Sequence, residues 1–232
     1  MRQCHRPPTL TTYAMSCSRP RSRVTAGLIG ASSLALLTVA YNTVLRARVV
    51  NWGATPDEVA AAIPGDELLA DAEMVATRAI TVEAPPAAIW PWLVQMGVGR
   101  AGAYTYDWIE RLFGLDMHSA DRIIPELQHL RVGDVLPMRP DDPGMRIEVL
   151  DPERAMSSRS EDGAWVWSFA LHPHNGSTRL ISRTRARVRT PGQRLGMAAM
   201  ELGSLVMERK MLQGIKQRAE RGAAEDVPFN HD

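Results

Sequence analysis

The first long pattern along the chain is an uncharged stretch of twenty-two residues from Val24 to Leu45, with arginines on both sides. This length is enough to cross a bilayer. Ala, Ser, Thr and Gly make the stretch only moderately apolar, so a cleaved signal peptide is the alternative. Because the residues after Leu37 offer poor cleavage sites, the pattern favours one transmembrane helix over residues 24–45.

The arginines around this stretch predict its orientation. The basic segment 1–23 carries five arginines and no acid, whereas Arg46 and Arg48 are the only charges that follow before Asp57. By the positive-inside rule the N-terminus stays in the cytoplasm. The rest of the chain is then expected outside the bacterial inner membrane. Met15 begins a more signal-like segment, so a start of translation there is a second possibility.

The next pattern divides a linker from a folded domain. Residues 46–76 hold several prolines and glycines and predict a linker, and the domain is expected over residues 77–221. The β-branched run Thr77–Glu83 predicts a first strand. Pro85 and Pro86 end that strand and supply the first turn of a helix that runs to Met96. A second helix is predicted over residues 106–113, ended by a glycine.

A meander of four or five antiparallel strands is predicted next. Turn signals separate the strands at Asp141–Gly144, Asp162–Gly163 and Asn175–Gly176. Residues 165–171 alternate aromatic or leucine side chains with smaller ones, as a half-buried strand does. Residues 178–189 place five arginines on one face, which is expected to be solvated, and small residues on the other.

A long amphipathic helix ends the pattern. It is predicted from Arg194 to about Arg221, and residues 222–232 are expected to be a disordered tail. A broad apolar face is expected to pack against the sheet, since charged residues within it make a second membrane span the less favoured alternative. The residues assigned to that face are Leu195, Met197, Ala199, Met200, Leu202, Val206, Met207 and Met211.

Composition narrows the class of protein further. Hydrophobic residues make up 45% and charged residues 23% of the 232 residues, which is typical of a globular chain. The net charge of +1 gives no global attraction to nucleic acid, so none is expected as a partner. Cys4 and Cys17 both precede the domain, so no disulfide framework or cysteine-based metal site supports it.

The order of these elements resembles the SRPBCC superfamily, also called START-like or helix-grip. The residues that carry the resemblance are the Ala84-Pro85-Pro86 helix start with Trp90, the stretch from Gln95 to Trp108 and its continuation from His118 to Glu126. These stretches are similar to a bacterial, membrane-anchored subgroup. The resemblance implies an α+β fold in which a curved antiparallel sheet wraps around the long C-terminal helix and leaves an apolar cavity. The superfamily includes lipid carriers, polyketide cyclases and hormone-binding proteins, so it implies no single activity.

Candidate binding residues concentrate between Gly97 and Glu126. Three glycines in this segment have GxGxxG spacing, but they follow a helix rather than a strand and predict a turn over the cavity mouth. Aromatic side chains with polar tips suit a pocket for a ligand headgroup, although they also suit plain packing. The predicted ligand-binding residues are Trp92, Tyr104, Tyr106, Trp108, His118, Arg122, Trp165 and Trp167.

Catalysis has one weak candidate pair. His118 and Asp121 could act together as a general base for a cyclisation or a hydrolysis. No nucleophilic serine or cysteine motif accompanies them, and an acid three residues from a histidine more often caps a helix or pairs with arginine. No metal site and no cofactor are predicted.

The sequence therefore favours a membrane-anchored protein that binds a hydrophobic or amphipathic small molecule, lipid or polyketide-like, in an internal cavity. Two alternatives stay open: an enzyme of cyclase or hydrolase type that uses His118 and Asp121, and a noncatalytic assembly subunit with a membrane protein partner.

Overall fold

The fold is that of a computed structural model, which describes residues 41–112, 114, 117–138, 144–188 and 190–225. From Asn42 onwards these residues form one compact unit. The predicted transmembrane segment lies outside them up to residue 40, and residues 41–45 form a π-helical turn. No helix among the described residues is long and apolar enough to cross a membrane.

A six-stranded antiparallel sheet forms the centre of the domain. Its strands lie side by side in the order β1-β6-β5-β4-β3-β2, so only the first strand is displaced from its sequence position. A bulge between Ile147 and Val149 interrupts the β3–β4 pairing and bends the sheet. The strands are β1 (Met74–Val82), β2 (Val135–Leu136), β3 (Met145–Asp151), β4 (Ala155–Ser160), β5 (Trp165–His174) and β6 (Ser177–Ala186).

The predicted hairpin turns explain the strand order. Asn175 and Gly176 both adopt positive φ, which a tight two-residue hairpin requires, and they join β5 to β6 in register. Gly163 also has positive φ in the β4–β5 turn. The predicted turn at residues 141–144 lies outside the described residues except for Gly144. β1 begins three residues earlier than predicted, because Met74 pairs with Ala186 at the end of β6.

Five α-helices accompany the sheet within the described residues. The predicted helix at Pro86 is present and continues through Pro91 without a break. The final helix is longer than predicted at both ends, and residues 222–225, assigned above to a disordered tail, belong to it. The helices are α1 (Arg46–Val50), α2 (Pro56–Ala60), α3 (Pro86–Gln95), α4 (Asp107–Leu112) and α5 (Pro191–Glu225), with 3-10 turns at Asp66–Leu69 and Pro125–Leu127.

Residues 46–73, assigned above to a linker, are folded onto the sheet instead. Ile63 packs with Ala79, Ala170 and Ile181 on the face of the sheet that points away from α5. Gly65 adopts a φ of +100°, and a Cβ there would lie 2.3 Å from the Ser157 hydroxyl oxygen. Glycine at this position therefore lets the segment approach β4 closely.

The arginine face of β6 is covered by this segment and is not solvated as expected. Arg183 is 2% exposed, and its guanidinium donates to Asp66 at 2.6 Å and to the Glu58 carbonyl at 2.7 Å. Arg179 forms two hydrogen bonds of 2.8 Å with the Glu58 carboxylate. The alternation of β6 was predicted correctly, but its arginines fasten residues 46–73 to the sheet because these residues supply acids and free carbonyls.

The opposite face of the sheet packs against α3 and α5, as in a helix-grip domain. The second half of α5 contributes Met211, Leu212, Ile215 and Ala219 to the largest buried cluster. The first half presents Glu201 and Glu208 to the interior instead, and both side chains are buried. Four residues of the predicted packing face, Ala199, Met200, Leu202 and Val206, point outward. Burying the two glutamates beside arginine partners turns these apolar residues away from the sheet.

Candidate functional site

The insertion between α3 and β2 is folded back on itself by glycines. Gly102 pairs with Gly97 in an isolated antiparallel bridge and has a φ of +74°. A Cβ on Gly102 would lie 2.8 Å from the carbonyl oxygen of His118, so only glycine allows these two loops to touch. The Ala120 amide donates to the Ala101 carbonyl at 3.0 Å beside this contact. The GxGxxG spacing therefore serves the turn.

Gln95 joins the last turn of α3 to this insertion. It is fully buried, and its side-chain oxygen accepts the Ile124 amide at 2.9 Å. Its side-chain nitrogen donates to the Tyr104 hydroxyl at 3.1 Å and to the Arg122 carbonyl at 3.2 Å. Both ends of the amide are thus satisfied, which fixes the insertion in one position.

Tyr104 lies at the centre of the insertion and under α5. It is 1% exposed, has a φ of +57° and donates its hydroxyl to the Trp92 carbonyl at 3.0 Å. Burial raises the pKa of Tyr104 to about 12, so the phenol stays neutral at physiological pH. A Cβ on Gly214 of α5 would lie 2.6 Å from the Tyr104 carbonyl oxygen, so this glycine allows the helix to pass directly over the tyrosine.

A pocket of about 350 Å³ opens between the insertion and the second half of α5. Its walls are polar, in contrast to the apolar cavity that the resemblance implies. The lining residues are Tyr104, Thr105, Asp107, Ser119, Asp121, Lys210, Gln217, Arg218 and Arg221.

Three cations and two carboxylates line this pocket, and the carboxylates are engaged within the protein. Asp107 accepts the Ser119 hydroxyl at 2.8 Å. Asp121 accepts Arg218 at 2.7 Å, while the Arg218 guanidinium also donates to the Ala120 carbonyl at 2.8 Å. The Lys210 ammonium lies 5.7 Å from the centre of the Tyr106 ring. The lining therefore carries one positive charge in excess.

A second polar cluster lies beneath the first half of α5. Arg78 of β1 is 1% exposed and forms an ion pair with Glu208, which also accepts the Ser182 hydroxyl. The Trp167 indole donates to that hydroxyl at 3.0 Å, and Arg78 donates to Ser204 at 3.0 Å. Burial raises the pKa of the Glu208 carboxyl, while the Arg78 guanidinium opposes this shift. The burial of these two charges was not predicted from the sequence, because neither an arginine in β1 nor a glutamate in α5 is unusual by its local pattern.

The predicted binding residues do not meet in one cavity. Trp92 and Tyr104 are buried and stack edge to face with ring centres 5.8 Å apart. Trp167 packs against Phe169 on the sheet, with ring centres 4.9 Å apart. Tyr106 is half-buried beneath Lys210. The remaining four, Trp108, His118, Arg122 and Trp165, are exposed.

The catalytic candidates are placed at the surface. Asp121 is exposed and lines the pocket, where it pairs with Arg218. His118 is exposed, and its carbonyl lies against Gly102. No three metal-ligating side chains among the described residues are close enough together to hold a metal ion.

Comparison with known proteins finds likeness only among solved structures. No family model and no curated protein matches the chain. A protein from Mesorhizobium loti shares 18% identity over 64% of this chain and 98% of its own, with a TM-score of 0.38. An AHSA1-like protein from Aeromonas hydrophila shares 16% identity over 67% of this chain and 99% of its own, with a TM-score of 0.38. A polyketide cyclase-like protein from Corynebacterium glutamicum shares 14% identity over 68% and 97%, with a TM-score of 0.33.

These likenesses concern the fold and carry no information on ligand or reaction. The chain itself has the antiparallel sheet, here of six strands, and the long C-terminal helix that the resemblance implies.

Proposed function

We propose that this chain is a membrane-anchored binding protein for an amphipathic small molecule whose polar end lies between the insertion and α5. The pocket of about 350 Å³ carries the proposal, because its size suits a small ligand and its walls combine two fixed loops with a rigid helix. Gln95, Gly102 and Gly214 hold these walls in place through the contacts described above.

The charges of the pocket favour an anionic headgroup. Asp107 and Asp121 are already bonded to Ser119 and Arg218. The half-buried Lys210 and the exposed Arg221, which donates to the Asp121 carbonyl at 3.3 Å, are therefore the cations that a carboxylate or phosphate would meet. Hydrogen bonds between a cation and an anionic oxygen are stronger than neutral ones. The Tyr106 ring beneath Lys210 offers an apolar surface for the adjoining part of the ligand.

Residues 24–45 are the proposed anchor. An uncharged stretch of this length between arginines would hold the domain at the bacterial inner membrane, with the N-terminus in the cytoplasm and the domain outside. A tether of this kind keeps a binding protein close to an amphipathic ligand that partitions into lipid.

The proposal is tested on the full chain in lipid nanodiscs with a fluorescent fatty acid as the probe. Replacing both cations, Lys210→Gln with Arg221→Gln, is expected to weaken binding about a hundredfold or more, since each lost charged hydrogen bond costs about 1.5–3 kcal/mol. Arg154→Gln removes an exposed arginine from the β3–β4 turn, outside the pocket, and is expected to leave binding unchanged. Equal affinity in all three proteins, or no binding to any of them, would contradict the proposal.

The enzyme alternative receives no support from the geometry. The alternative needs His118 and Asp121 to act together as a general base, whereas the Asp121 carboxylate is paired with Arg218 at 2.7 Å. Binding is therefore the function that the pocket favours.

A further inference from the structure

The exposed side of α5 changes from apolar to polar along its length. Among the described residues, its exposed stripe includes Ala199, Met200, Leu202 and Val206 and continues with Arg209 and Gln217. A stripe that faces water is ordinarily polar throughout, as it is in the second half of this helix. Residues 199–206 are therefore an exception that a partner surface would explain.

The start of the domain adds to this apolar stripe. Val44 is 58% exposed and Leu45 is 50% exposed. Arg46 follows them directly and donates to Glu201 of α5 at 2.8 Å, which places the chain entry beside Met200 and Leu202. We call the group Val44, Leu45, Met200, Leu202 and Val206 the apolar face. Met200, Leu202 and Val206 are 56%, 46% and 51% exposed, respectively.

The charges beside the apolar face are basic. Arg48 and Arg209 are exposed. The nearby acids of α5, Glu201 and Glu208, are buried and paired with Arg46 and Arg78. Apolar side chains flanked by exposed cations are the pattern of a surface that enters the headgroup region of an anionic bilayer.

We propose that the apolar face docks onto the lipid bilayer itself, so that residues 200–206 of α5 lie in the headgroup region. Val44 and Leu45 are the last two residues of the uncharged stretch 24–45, so the apolar face begins where the proposed anchor ends. The inference rests on the anchoring part of the proposed function and adds a second membrane contact, made by α5 and continuous with the end of the anchor. A flat bilayer fits both the position and the charge of the face.

Docking has a consequence for the pocket. Lys210 lines the pocket and lies one helical turn after Val206, about 6 Å along the axis. Contact between the apolar face and the bilayer would therefore bring the pocket to the level of the lipid headgroups. An amphipathic ligand could pass from the membrane to the pocket without crossing bulk water.

The test places a polarity-sensitive fluorophore on the full chain in vesicles of phosphatidylcholine and phosphatidylglycerol. Serine first replaces Cys4 and Cys17, the two native cysteines. Single cysteines are then introduced by Leu202→Cys and Val206→Cys, with His172→Cys and Arg154→Cys as exposed controls. Both controls lie near the β5–β6 turn end of the sheet, where Leu171 donates to the Arg154 carbonyl, away from the start of α5.

Labels at positions 202 and 206 are expected to shift to shorter emission wavelengths when the protein binds vesicles. They are also expected to lose about half their emission or more when the lipids carry doxyl quenchers, because the face would be buried about 5–10 Å into the boundary between headgroups and acyl chains. Labels at positions 154 and 172 are expected to show neither change. Circular dichroism of each labelled protein checks that the fold is retained.

Three other outcomes overturn the inference in different ways. If the protein floats with the vesicles but labels at 202 and 206 behave as the controls do, the anchor stands and the docking is wrong. A disulfide between two copies at position 206, with no lipid quenching, would assign the face to a second copy of the chain. If the protein does not float at all, the anchoring in the proposed function fails together with the docking.

Discussion

The guanidinium of Arg218 lies 4.8 Å from the centre of the Tyr104 ring and at the same time bonds Asp121 at 2.7 Å. One side chain of α5 thus touches a buried phenol on one side and the pocket rim on the other. Tyr104 in turn bonds Gln95 and the Trp92 carbonyl. The pocket is therefore coupled to the core of the domain through this arginine and this tyrosine, and its shape depends on both.

The ionisation of Tyr104 provides a first prediction. Because burial raises its pKa to about 12, above the ordinary value of 10.0, the folded protein keeps this proton while the unfolded chain loses it. Stability is then expected to fall as the pH rises from about 10 towards 12. Absorbance at 295 nm should show one tyrosine that titrates late or only on unfolding.

Tyr104→Phe is the matched variant for that titration. The late-titrating tyrosine should disappear, and stability at neutral pH should fall by about 1–3 kcal/mol, because the Gln95 amide and the Trp92 carbonyl lose a buried partner. A full set of ordinary tyrosine titrations in the parent protein would show that Tyr104 is accessible to water.

Gly214 and Gly203 give opposite predictions within one helix. A Cβ at position 214 would lie 2.6 Å from a backbone oxygen, whereas nothing lies within 4 Å of one at position 203. Gly214→Ala should therefore destabilise the protein by about 1–3 kcal/mol through overpacking. Gly203→Ala should stabilise it by about 0.5–1 kcal/mol, because alanine is the better helix former. Thermal unfolding of both variants measures the contrast, and equal midpoints would argue against the close contact.

The buried pair Arg78 and Glu208 should behave as a unit. Arg78→Met leaves a buried carboxylate without its cation and is expected to cost about 3–5 kcal/mol. Adding Glu208→Leu removes that carboxylate, so the double variant should be more stable than Arg78→Met alone. Urea unfolding of the two single variants and the double variant gives the coupling energy. Additive losses would mean that the two side chains do not interact.

The ion pair between Glu58 and Arg179 predicts an acid-dependent contribution to stability. The Arg179 guanidinium lowers the pKa of the Glu58 carboxyl below 4.5. A lowered pKa stabilises the folded state above the ordinary value, and the contribution is lost as the pH falls through the folded-state pKa.

Glu58→Gln should thus cost about 0.5–1 kcal/mol at pH 7, a value reduced by solvent screening, and nothing near pH 2. Glu161→Gln, on an exposed turn, is the control that should match the parent protein at both pH values. A loss that stays constant with pH would assign the role of Glu58 to its capping of α2.

One feature that was not predicted from the sequence, the helix within the expected linker, depends only on neighbouring residues and could have been predicted. Thr55 accepts the Glu58 amide and Glu58 accepts the Thr55 amide, with Pro56 in the first turn, which is a capping box. The same spacing of threonine, proline and glutamate marks a helix start in the sequence. This local pattern alone, without reference to the sheet, argues against a structureless linker over residues 46–76.

The remaining differences could not be read from local pattern. Alternation shows that the arginines of β6 share a face, but which segment covers that face depends on residues 58–71, more than a hundred positions away. Similarly, hydrophobicity alone assigns Met200, Leu202 and Val206 to the core. The helix turns them outward because Glu208 finds Arg78 and Ser182 inside.

The sequence by itself determined the antiparallel meander with its Asn175–Gly176 hairpin, the start of α3 at the double proline, and the long final helix. Turn residues and the hydrophobic period specify these elements because both act over a few neighbouring positions. Only the tertiary structure decided the pocket between the insertion and α5, the buried ion pair beneath the helix and the covered arginine face. Each of these depends on two groups that are distant in the chain, and their pairing is decided by burial, where an unpaired charge costs more than a misplaced apolar side chain.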